Sequence, residues 1–157
     1  MADARKSPDA VPDVAADLVE YLVIAVPDRG ALASLVPALT DLVESARIRV
    51  LDMVVVVRDS DGVIETCEVD RVDSVAALAG LPGHAGGMLS EHDIALASLA
   101  LGPNTAGIVV VSEDRWAAPL STAARNAGGS IVGGDRIPAA RVEAVLVERS
   151  RHKRTGT

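Results

Sequence analysis

The chain has 157 residues and a formal net charge of -7, the length of one domain whose core buries roughly two-thirds of the surface its unfolded chain exposes. With no Phe, one Trp and one Tyr, that core has to be built from Val, Leu, Ile and Ala, and stacking on aromatic rings has almost no residues to use. The charge is uneven: residues 19–148 hold 18 acids against 9 bases, whereas 149–157 hold four bases and no acid, so a footprint for phosphate backbones is excluded everywhere except the C-terminus.

Residues 1–18 are rich in Asp, Pro and Ala, lack hydrophobic periodicity and contain no apolar secretory stretch; they read as a flexible leader of a cytoplasmic protein. A single domain is predicted over 19–148, followed by a flexible basic tail over 149–157. The apolar run 21–26, closed by Pro27-Asp28-Arg29-Gly30, predicts a strand buried on both faces. Leu32, Leu35, Val36, Leu39, Leu42 and Val43 then recur at helical spacing, with Pro37 kinking the helix or lying in its first turn. The β-branched runs 48–57 and 63–69 flank Arg58-Asp59-Ser60-Asp61-Gly62 and predict a hairpin.

Residues 71–88 read as a short Ala-rich helical turn and a glycine-rich loop, after which Ser90 is placed to cap a helix, with Asp93 reaching back from the third position. Residues 94–112 carry no charge over nearly the length of a bilayer span, but Gly102-Pro103-Asn104-Thr105 divides them into a short helix and a strand over 106–111. Trp116, Leu120, Ala123, Ala124 and Ala127 mark one face of a helix that stops at Gly128-Gly129, with Pro119 near its start. A final strand over 130–137 and a last helix opened by Pro138, turning Val142, Val145 and Leu146 inward, complete the order βαββαβαβα. That order predicts an α+β fold: a ferredoxin-like βαββαβ sandwich, helices on one face of an antiparallel sheet, extended by a C-terminal αβα. The fourth strand would then be an apolar edge, covered by the fifth strand or by a second subunit, which is the argument for a homodimer.

No constellation in the sequence specifies a chemistry. Asp59, Asp61, Gly62, Ile64 and Glu68 fall on five positions of a calcium loop, but its first ligand position is Val57, and no metal or other cofactor is expected. The glycines of the loop from Gly80 to Gly87 would let successive backbone amides point at an anion, but the loop fits neither a P-loop nor a dinucleotide fingerprint and reads as a mobile surface loop. His84, His92 and His152 lack ligand spacing, and no G-x-S-x-G elbow activates a serine. The two lysines, Lys6 and Lys153, lie outside the predicted body, which removes lysine chemistry from it. The single Cys67 sits among acids, which raise a thiol pKa. The best pocket candidates are His92, with acid-base capacity beside Glu91 and Asp93, together with Glu113, Arg115 and Trp116.

The segments Glu20-Tyr21-Leu22-Val23, Ile48-Arg49-Val50-Leu51-Asp52, the hairpin at 58–62, the stretch from Gly87 to Ile94, Glu113-Asp114-Arg115-Trp116-Ala117 and Arg136-Ile137-Pro138 together resemble the domain of unknown function numbered 6325, common in actinobacteria, and its broader relative numbered 1269. The resemblance spans about Glu20 to Leu146. It implies a small α/β protein, sometimes associated with stress, and carries over no catalytic residue. Members of the broader family have a glycine-zipper membrane segment where this chain has only the short loop from Gly80 to Gly87. The expected function is therefore that of a non-enzymatic, homo-oligomeric cytoplasmic protein, binding a protein or small-molecule partner, with no membrane role and nucleic acid confined to weak association through the tail. The alternative is a small enzyme with its pocket near His92 and Trp116.

Overall fold

A computed structural model describes residues 14–84 and 86–155. The first thirteen residues of the expected leader, Ala85 of the glycine-rich loop and the last two residues of the expected tail lie outside the described residues.

Four strands form one antiparallel sheet: β1 (Val19–Val26), β2 (Arg49–Arg58), β3 (Ile64–Glu68) and β4 (Thr105–Glu113), in the spatial order β1-β4-β2-β3. The helices are α1 (Leu35–Glu44), α2 (Glu91–Ser98), α3 (Ala118–Asn126) and α4 (Ala139–Thr155), with short 3-10 turns between elements. The element order βαββαβ is as expected, but the layout differs from the ferredoxin-like one: β4 lies at the centre, not at an edge. Strands β1 and β2 both run antiparallel to β4 and so parallel to each other, and β4 fills the gap that the α1 crossover leaves between them. Composition explains the choice. Every residue of β4 from Ala106 to Glu113 is buried, as is every residue of β2 from Val50 to Val56, whereas β3 (Ile-Glu-Thr-Cys-Glu) is half polar. The two strands that are apolar on both faces gain most from two neighbours, and the polar one is tolerated at an edge. Strand β1, expected to be buried on both faces, is the other edge, with Tyr21 and Ala25 exposed.

The helices cover both faces, where one had been expected. Leu32 and α1, through Leu39, pack with the turns carrying Val69, Val72, Val75 and Leu78 on the side chains of Val50, Met53, Val55, Ala106, Ile108 and Val110. On the opposite face α2 and the turn after it set Ala97 and Leu101 against Val54, Val56 and Val109. Pro37 lies in the first turn of α1, and Ser90 and Asp93 form the reciprocal capping box of α2. A bulge at Leu51, where the register with β4 shifts between Val50 and Asp52, lets Val50 and Met53, three residues apart, reach the same core.

Beyond Asn126 the fold departs most from expectation. Residues 130–137 form no strand: Gly133-Gly134 interrupts them, no sheet edge pairs with them, and Val132 is 95% exposed. Helix α4 extends to Thr155 and includes the basic residues expected beyond the domain. Its residues 139–154 are all exposed, so Val142, Val145 and Leu146 point to solvent and not inward. Trp116 and Leu120 likewise face outward, because the turn before α3 sets Ala117, and α3 sets Ser121, toward the body, where the Ser121 hydroxyl donates to Asp17 Oδ2 at 2.6 Å. Among the described residues no helix is long and apolar enough to cross a membrane.

Candidate functional site

Glu113 ends β4 opposite Arg49, which opens β2, and the register between those strands puts the two side chains side by side. Arg49 Nη1 lies 3.5 Å from Glu113 Oε2, a buried oxygen that accepts no hydrogen bond. Two neighbouring segments close around Arg49. The chain leaving α1 turns at Ala46 with φ 55°, and Arg47 accepts a hydrogen bond from the Trp116 amide at 3.1 Å, which fastens the turn after β4 to the entrance of β2. From the other side comes Gly83, at φ +89°, where a Cβ would stand 3.0 Å from Arg49 Cγ and 3.2 Å from the Val50 carbonyl; glycine alone meets both the conformation and the space. Between these segments lies a cavity of about 190 Å³, walled by Val43, Ala46, Ile48, Pro82 and Gly83 and bordered by Arg49 and Arg115.

The loop that delivers Gly83 is anchored by a second buried carboxylate. Asp52, facing the α2 side of the sheet, accepts from the Met53 amide through Oδ1 at 2.8 Å and from the Met88 and Leu89 amides through Oδ2 at 2.7 and 2.9 Å. The Gly86 amide donates to Leu51 carbonyl at 3.3 Å, and His84 Nε2 stands 3.8 Å from Asp52 Oδ1. A lone Asp inside the apolar run from Val50 to Val57 is the sequence signal for such a buried anchor, since burying a carboxylate is costly unless donors meet it.

The four pocket candidates separate. Arg115 borders the cavity and Glu113 is buried behind it through Arg49. Trp116 is 64% exposed and joins the site through its backbone amide. His92 is exposed in the first turn of α2 and lines neither this cavity nor a hollow of about 770 Å³ beside α4, which that helix alone bounds and which is therefore an open cleft between side chains. Arg49 and Gly83 were missed, because nothing local in their sequence brings positions 34 residues apart together.

Elsewhere the polar groups serve the fold. Asp59 Oδ1 accepts from the Asp61 and Val63 amides, both at 2.9 Å, so this carboxylate of the calcium-like loop closes the hairpin. Burial, then the neighbouring Glu65 carboxylate, pushes the Cys67 thiol up. Among the described residues no group of acids, histidines or cysteine is gathered to hold a metal. Glu20, at the start of β1, is raised above the ordinary 4.5 by burial and by the Asp114 carboxylate beside it, with Arg136 opposing. Its ionisation therefore opposes folding, an effect complete above the raised pKa and absent below 4.5. Glu20→Gln is expected to raise the melting temperature at about pH 7 and to leave it unchanged at about pH 3.5; equal gains at both would assign the effect to something other than charge.

Comparison with known proteins adds a protein-family model that matches residues 15–150, that of a family of unknown function. No curated protein and no solved structure matches the chain.

Proposed function

The chain belongs to the family of unknown function DUF6325, and from that premise we propose that it is a non-enzymatic, homo-oligomeric protein that acts by binding other molecules, with a second copy of itself as the first partner. One observation carries the reading: the 17-residue helix α4 leaves Val142, Val145 and Leu146, at the i, i+3, i+4 spacing of a docking face, uncovered by its own chain. A helix of that length gains its stability from packing an apolar stripe on something, because isolated helices of about 15 residues are marginal in water. Charge supports a second copy as the occupant. The last turns of α4 carry Arg149, Arg151, Lys153 and Arg154, and the body holds 18 acids against 9 bases, so a basic helix end meets an acidic surface on its twin. The exposed Trp116, in the turn before α3, and Leu120 of α3 offer apolar surface of the kind such an interface uses. A cytoplasmic setting suits the single, half-buried thiol of Cys67, which has no disulfide partner in the chain.

Native mass spectrometry tests the reading. The full chain is expected at twice its 16.1 kDa mass, and Val142→Asp with Leu146→Asp is expected to return it to the monomer with the body still folded by circular dichroism. A wild-type chain that is monomeric at micromolar concentration removes the second copy as partner.

A further inference from the structure

We propose that the cavity between α1, the start of β2 and the loop at Pro82-Gly83 is a binding site for a small aliphatic carboxylate, held by Arg115 and Arg49. The first ground is charge. Arg49 is matched by Glu113 at 3.5 Å, whereas the Arg115 side chain has no ion-pair or hydrogen-bond partner among the described residues. With Arg49 matched by Glu113, the Arg115 guanidinium is the charge offered at the border of the cavity, the complement of a monoanion. A guanidinium binds a carboxylate through two parallel N–H donors, which sets orientation as well as charge.

The second ground is the wall. Val43, Ile48 and Pro82 are apolar, so the cavity recognises a body that is hydrocarbon and an end that is charged. A volume of about 190 Å³ corresponds to roughly six waters at about 30 Å³ each, room for a branched acid of four to six carbons. The third ground is preorganisation. Gly83 holds the Arg49 stem from one side, the Trp116 amide ties the Arg115 turn to Arg47, and Asp52 anchors the loop that carries Gly83. A carboxylate entering here meets an Arg49 stem and a loop already in place, so that the Arg115 side chain is what remains to be ordered. The lining residues lie on the folded body, none of them on α4.

The Trp116 indole faces outward and does not line the cavity, so binding is read by isothermal titration calorimetry. Titrating the full chain with isovalerate is expected to give a saturable change, with the neutral isosteric isovaleramide binding roughly tenfold more weakly because it forgoes the charge-assisted pair. Arg115→Gln, at an exposed position that leaves the fold intact, is expected to weaken isovalerate roughly tenfold and isovaleramide by much less, while Arg125→Gln on α3 changes neither. Amide shifts of Ile48 and Gly83 in a two-dimensional NMR titration locate the bound acid. Equal binding of acid and amide, an unaltered Arg115→Gln variant, or an identical response to inorganic phosphate would each overturn the proposal.

Discussion

Replacing Asp52 by Ala is expected to cost about 3 to 5 kcal/mol, a large share of the 5 to 15 kcal/mol that holds an ordinary domain together. The carboxylate is buried and accepts three backbone N–H groups, from Met53, Met88 and Leu89. Alanine removes all three acceptors at once: the Met53 donor is buried, where an orphan costs about 1 to 3 kcal/mol, and the Met88 and Leu89 donors are part-buried. Asp52→Asn divides the contributions. Its single oxygen is able to keep Met88 and Leu89, but its amino group then faces the Met53 amide donor, so the loss is intermediate. Urea denaturation of the three proteins checks this, together with hydrogen exchange at the Met88 and Leu89 amides, which should lose protection in the Ala variant before the strands do. Near-equal midpoints for Ala and wild type would show that the loop is held by its apolar contacts, above all Leu89, and not by the carboxylate.

Gly107→Val is expected to be comparably damaging, by about 3 kcal/mol or more. Gly107 lies in the central strand β4, opposite Ala25 of β1, on the face against which Leu101 packs. A Cβ there would stand 2.8 Å from Leu101 Cδ2 and 3.1 Å from the Ile24 carbonyl. Leu101 is 2% exposed and has no free volume to retreat into, and the carbonyl belongs to the sheet backbone. Gly107→Ala already overpacks the site, at about 1 to 3 kcal/mol, despite the smaller entropy loss that alanine brings on folding. The cause is identified by a double variant: Leu101→Ala opens the space, so Gly107→Val combined with Leu101→Ala should be less destabilised than the two single losses added. Strict additivity would mean that the Ile24 backbone, not Leu101, is the obstacle.

Those two residues also mark what local sequence does and does not carry. The capping box of Ser90 and Asp93, the hairpin closed by Asp59 and the placement of Pro37 in a first turn were legible, because each depends on residues a few positions apart. The apolar stripe of α1 was legible for the same reason. Strand order was not. Whether β3 or β4 fills the gap between β1 and β2 depends on which burial is worth more across the whole sheet, and the apolar character of β4 on both faces, visible in Ala106 to Val111, argued for the centre more strongly than the element order argued for an edge. The outward turn of Trp116, Val142 and Leu146 was hidden by a different circumstance: a helical stripe shows that a face wants cover without showing whose surface supplies it. At the candidate site Glu113 and Arg115 were found by their neighbourhood in sequence, and Arg49 and Gly83 were not, since only the crossing of β2, β4 and the loop brings them together.

The bulge at Leu51 gives β2 a property that concerns length more than energy. Alternation in a strand is a parity: losing one residue between Met53 and Val57 would exchange the two faces for every residue on one side of the gap, sending core valines to the wrong layer. Leu51 is the exception. Val50 pairs with Ser112 and Asp52 with Val111, so deleting Leu51 would join two segments that already stand in consecutive register. A chain one residue shorter at this point would keep both faces in register and the Asp52 carboxylate in place, at the cost of the buried Leu51 side chain and of the carbonyl to which the Gly86 amide donates.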